Sequence, residues 1–207
     1  MIPKLYITYA YPLDVRQRML FVSKNFGEYP SMDEVRDKTL YIEKLWNELN
    51  RDDRVMKSLV KIIGTKPTHD LEMYIFGKGL TPMSSPLMMP IIIKRDGGIA
   101  SDDEYTEVII HELIHRFIQD GLNNAGIEKY FDMVRTVYAS ENPSTQNHIL
   151  LYAVLEEVLI DLFGKERLKD FTNENIQYFP DYVRAVEIAR EKGAKNLVEE
   201  FKSYLVA

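Results

Sequence analysis

The chain has 207 residues, a net charge of -6 and no cysteine. Without thiols there are no disulfides, cysteine-zinc modules, iron–sulfur clusters or thiol catalysis, and any metal must be held by His, Asp and Glu. The acidic balance argues against nucleic-acid partners, while a 45% hydrophobic fraction is ample for a packed core.

No apolar run reaches membrane-spanning length, so no membrane partner is expected. The first residues lack the pattern of an export leader, which makes a cytoplasmic location the expectation. Lys4 to Tyr9 alternates Leu5, Ile7 and Tyr9 with Tyr6 and Thr8, the period of a half-buried strand. Pro12 opens a helix through Leu13 to Asn25. Ser31 and Glu34 form a capping box, and a helix follows from Met32 to Leu49 with Val35, Leu40, Ile42, Leu45, Trp46 and Leu49 as its apolar positions. Asp52 and Asp53 interrupt it. Val55 to Ile63 resumes helix, and Gly64 to Pro67 turns.

Leu71 to Phe76 alternates as a strand, Gly77 to Pro86 is a loop, and Leu87 to Lys94 is an apolar strand that Pro90 bends or confines to an edge. Such an edge is a place where an extended peptide could add as one more strand. Asp96-Gly97-Gly98 turns into a helix from Asp102 to Asp120. A second capping box, Ser101 with Glu104, starts it and Gly121 ends it. Beyond Gly121 the chain reads as helices over 126–139, 145–163, 165–172, 181–192 and 194–205. The fold class is therefore α+β. Residues 1–121 form an α/β lobe with a small sheet, residues 122–207 an all-helical lobe, and the two make a single compact unit sharing one cleft.

The helix from Asp102 carries His111-Glu112-Leu113-Ile114-His115. Residues four apart share a helix face, so His111 and His115 offer two imidazoles to one point, as a tetrahedral zinc ion takes them. Ile110, Leu113, Ile114 and Phe117 occupy the opposite face, where core contacts belong. Glu112 lies about 100° round from His111 and roughly 60° from His115. It reaches the rim of such a site without binding the cation, where a general base is needed. A third ligand is required. The 145–163 helix is apolar nearly all round, hence buried, yet carries Glu156, Glu157 and Asp161. Buried carboxylates need a metal or hydrogen bonds, and Glu157 and Asp161 share a face. The economical assignment puts Glu157 on the metal and Asp161 on the free N–H of a ligating histidine.

His111-Glu112-x-x-His115 followed by Glu157-x-x-x-Asp161 resembles the gluzincin clan of zinc metallopeptidases, the thermolysin-like group. The resemblance runs from the motif helix to the glutamate helix. It implies one zinc per chain, held by His111, His115 and Glu157 and supported by Asp161. It also implies a zincin-like fold with the active-site helix at the cleft. The activity it implies is hydrolysis of peptide bonds in a peptide or protein substrate, by a metal-activated water with Glu112 as general base. An oxyanion donor is also needed, and His148, Tyr138, Tyr152, Tyr178 and Tyr182 are the candidates; His69 reads as loop. Two departures stand out. Arg116 follows the second histidine where the clan usually has an uncharged residue, and Glu156 replaces the asparagine that often precedes the ligand glutamate. With no glycine turn and third histidine after the motif, a metzincin is disfavoured. A non-catalytic pseudoenzyme or regulatory metal sensor with the same ligands is the alternative. A di-iron oxidase would need a second Glu-x-x-His element. Oligomeric state is left open.

Overall fold

A computed structural model describes residues 1–93, 100–121, 124–166, 168 and 179–205. The turn at Asp96-Gly97-Gly98, the end of the expected strand at Lys94, and Tyr178 lie outside the described residues. So does most of the expected 165–172 helix, which is helical at 165, 166 and 168. The architecture is α+β, and the chain divides into two compact units. One comprises residues 3–51 and 69–113, the other residues 1–2, 52–68 and 114–207. This division falls after Leu113, within the motif helix, and groups residues 52–68 with the helical unit.

The first unit is built on a four-stranded mixed sheet. Strand β1 (Leu5–Tyr9) runs parallel to β2 (Leu71–Phe76), with Leu5 opposite Leu71 and Tyr9 opposite Ile75. The two-residue β3 (Met83–Ser84) is antiparallel to β4 (Leu87–Pro90), which is parallel to β2 on its other side, giving the order β1-β2-β4-β3. The strand expected at an edge thus has β2 on one side and, over Leu87 and Met88, β3 on the other. Pro90 sits opposite Phe76 but beyond the reach of β3, so on that side its missing N–H forfeits no ladder bond.

Helix α1 (Tyr11–Lys24) turns a polar face to the sheet: the residues it buries are Asp14 and Gln17. Asp14 is fully buried and satisfied. Its Oδ1 accepts from the Tyr29 hydroxyl at 2.8 Å and the Gly77 N–H at 2.7 Å; its Oδ2 accepts from the Tyr9 hydroxyl at 2.8 Å and Arg18 at 3.3 Å. Both tyrosines are pushed up in pKa, first by burial and then by the hydrogen bond to Asp14, Tyr9 to about 12. Helix α2 (Met32–Leu49) has both halves of the Ser31–Glu34 capping box. Its buried row is Val35, Thr39, Ile42 and Trp46. Leu40 falls off that row and is 63% exposed. Thr39 takes the inward place because its hydroxyl donates to the Val35 carbonyl at 2.7 Å.

The second unit is helical. Helix α3 (Arg54–Ile63) starts after Asp52 and Asp53, both in the left-handed region, and ends on Gly64 at φ +83°. Helix α4 (Asp102–Gln119) begins with the expected capping box: the Ser101 N–H donates to Glu104 at 2.7 Å and the Glu104 N–H to Ser101 at 3.2 Å. It is a continuous helix that passes from one unit to the other after Leu113. Gly121 follows because a Cβ there would lie 2.7 Å from the Thr65 hydroxyl oxygen. Helices α5 (Asn124–Val137), α6 (Pro143–Phe163), α7 (Pro180–Lys192) and α8 (Ala194–Leu205) complete the chain. Helix α6 is central, packing against α3, α5, α7 and α8. Its Asn142 cap accepts the Thr145 N–H at 2.8 Å, and Pro143 fills the first turn, where no N–H is missed. No helix among the described residues is long and apolar enough to cross a membrane.

Candidate metal centre

On the wheel of α4, Ile109, Ile110, Leu113, Ile114 and Phe117 are buried, whereas His111 and His115 are only half-buried. The 3.6-residue period therefore puts both imidazoles on the side of the helix that the core leaves open. A third imidazole joins them. The ligand atoms of His111, His115 and His148 all lie within 4.8 Å of one another, the one such group of three among the described residues. Nitrogens around a tetrahedral zinc stand roughly 3.3 Å apart, a spread that small rotations of the rings would close.

His148 stands in the second turn of α6 and is buried. Its Nδ1 lies 2.7 Å from the Ser144 carbonyl oxygen. A carbonyl only accepts, so Nδ1 carries the proton and Nε2 is the ring's acceptor nitrogen. That is how protein groups commonly fix a metal-binding histidine. The His115 and His148 rings meet edge to face, centroids 5.2 Å apart. Burial, and next the neighbouring His148, push the His115 pKa down to about 4. Burial also lowers His148, against the opposing pull of its bond to Ser144 and of Asp181. Both shifts favour the neutral ring, the form a divalent cation binds, and imidazole donors suit zinc, copper, nickel or iron.

Glu112 is buried and outside the imidazole group. Burial raises its pKa to about 8. Tyr182 of α7 stands over His148 with ring centroids 4.2 Å apart, backed by Phe179 at 4.9 Å; Tyr152 lies 6.1 Å from His148. Of the tyrosines considered as oxyanion donors, Tyr152 and Tyr182 thus adjoin the imidazoles.

Two residues assigned to the metal from sequence lie elsewhere in the structure. Glu157, the expected third ligand, is not in the group. It is nine residues beyond His148 on a straight helix, hence about 13 Å along the axis and half a turn round it. Asp161 does not support a histidine: its carboxylate accepts from Ser58 at 2.7 Å and from Lys61 at 2.6 Å, both on α3, and these bonds, Lys61 first, hold its pKa below the usual range. The half-buried Glu156 is raised by burial and faces the opposing charge of Arg190. Arg116, the unusual residue after the motif, pairs with Asp120 one turn on. His69 is exposed and apart from the group.

His148, read from sequence as an oxyanion-donor candidate, is the residue the structure groups with the motif histidines. The signal was present: it is an ionisable side chain on the same all-apolar helix that made Glu157 conspicuous. Three of the chain's four histidines make the cluster. Comparisons with protein-family models, curated proteins and solved structures yield no match to this chain.

Proposed function

We propose that the chain is a zinc-dependent hydrolase acting on peptide bonds, with His111, His115 and His148 as metal ligands and Glu112 as general base. The observation that carries this reading is the convergence of three imidazoles, two of them from an H-E-x-x-H helix whose Glu112 is buried. Three protein ligands leave one coordination corner, the arrangement of catalytic rather than structural zinc. Zinc bound there would supply Lewis acidity and acidify a coordinated water toward neutrality.

The chain's own residues do the rest. His148, oriented by Ser144, and His115, favoured in its neutral form by burial, are the ligands from α6 and from the end of the motif. Glu112 takes a proton from the attacking water and returns it to the leaving amine. A cation close by favours its carboxylate form, opposing the effect of burial. Tyr182 or Tyr152 is the candidate hydroxyl for the developing oxyanion. The reading keeps the H-E-x-x-H half of the gluzincin resemblance and the zincin-like expectation. It replaces the glutamate ligand by His148.

The test is Glu112→Gln against wild type on casein and a fluorogenic peptide library, with zinc content measured in both. Retained zinc with lost hydrolysis supports the hydrolase. Equal inertness of both on every substrate, zinc bound in each, supports the alternative of a non-catalytic metal sensor, which has no need of Glu112.

A further inference from the structure

Asp161 is bonded to Ser58 and Lys61, so the carboxylate expected to steady a ligating histidine is engaged elsewhere. His148 meets that need on its own helix: its Nδ1 lies 2.7 Å from the carbonyl oxygen of Ser144, one turn before it. The residue one turn before His111 on α4 is Glu107.

Glu107 is 8% exposed and makes no hydrogen bond or ion pair with any of the described residues. Burial raises its pKa to about 8, Glu104 adds to the effect, and no cation among the described residues opposes it. The buried Asp14 shows the usual outcome for such a group, four bonds to its two oxygens. A buried carboxyl without them is costly and calls for a partner.

The helix places that partner close by. Glu107 and His111 are about 40° apart on the wheel of α4 and about 6 Å apart along its axis. Helical side chains lean toward the N-terminus, so the ring of His111 lies back over the turn that carries Glu107. An acid followed four residues later by a cationic or N–H donor is the favoured order on a helix. An imidazole that binds a cation through one nitrogen carries its proton on the other, and that N–H needs an acceptor.

We propose that Glu107 is the positioning residue of His111. Its carboxyl accepts the N–H of the His111 nitrogen that does not bind the cation, and so fixes the tautomer and direction of that ring. The inference rests on the three-imidazole metal centre and is independent of the hydrolytic chemistry.

The experiment compares wild type, Glu107→Leu and Glu107→Gln as full chains. Zinc affinity is measured by competition with a chelating indicator, beside thermal melts of the metal-free proteins. Leucine removes the acceptor at similar volume, and glutamine keeps a neutral acceptor oxygen. Zinc binds Glu107→Leu about 10–100-fold more weakly than wild type, and Glu107→Gln falls between the two. The metal-free melting temperature does not fall in either variant, because there the carboxyl has no bond to lose. Histidine-selective NMR of the zinc-loaded wild type shows a slowly exchanging His111 ring N–H, which Glu107→Leu loses. Zinc affinity within about twofold of wild type in both variants overturns the proposal, and a lowered metal-free melting temperature alongside it would make Glu107 a group of the fold alone. A His111 N–H unchanged in Glu107→Leu overturns it equally. A wild type that binds no zinc removes the metal centre and this inference with it, whereas equal binding by all three chains removes this inference alone.

Discussion

Burial acts in opposite senses on two neighbouring residues of α4. It pushes His115 down to about 4, leaving a neutral ring, and pushes Glu112 up to about 8, leaving a carboxyl that holds its proton until a cation favours its release. An imidazole and a carboxyl three residues apart thus answer in opposite senses to burial. Glu112→Gln is nearly isosteric and removes only the proton acceptor. Hydrolysis of peptide substrate is expected to fall about 10²–10⁴-fold while zinc content is unchanged; loss of zinc along with activity would make Glu112 a ligand instead. The H-E-x-x-H spacing was legible from sequence because it is local. Which residue of α6 approaches the motif was not, because that depends on long-range packing that brings His148 to His115. Nine residues separate His148 from Glu157, which is two and a half helical turns, so only one of the two can face the motif.

Element boundaries were the most legible feature, since caps are short-range chemistry. Both Ser/Glu boxes form, α2 spans the residues expected, and α6 differs only in starting two residues earlier, at Pro143. The sense in which α1 faces the sheet was not legible, because the long-range bonds to Asp14 overrule its apolar pattern. Asp14→Ala would leave the Tyr9 and Tyr29 hydroxyls and the Gly77 N–H without their acceptor, a loss of about 3 kcal/mol or more in chemical denaturation. Asp161 ties α6 to α3, and its pH dependence has a definite sign. Its folded pKa lies below the ordinary carboxylate value, so its contribution is present above the unfolded pKa and disappears as pH falls through the folded one. The urea midpoint of Asp161→Asn should therefore be lower than wild type at pH 7, with the gap closing toward pH 3, and its zinc content should be normal. A zinc-deficient Asp161→Asn would return this residue to the metal's surroundings.

At the scale of the whole molecule, the two units share α4, which carries the motif through the division after Leu113. Sequence composition separated a sheet-bearing part from a helical part. It did not assign α3 to the helical one, because the bonds from Ser58 and Lys61 to Asp161 span about a hundred residues. A cation held by His115 and His148 joins α4 to α6, the central helix of its unit. Since it binds the folded chain, it adds stability by mass action. Chelation is expected to lower the melting temperature of the wild type and leave that of His148→Ala unmoved. The most direct test of the ligand set is metal analysis of the purified variants after zinc loading and dialysis. About one zinc per chain is expected in wild type and in Glu157→Ala, and none in His111→Ala, His115→Ala or His148→Ala. Zinc retained in His148→Ala but lost from Glu157→Ala would contradict the three-imidazole centre and restore the carboxylate as third ligand.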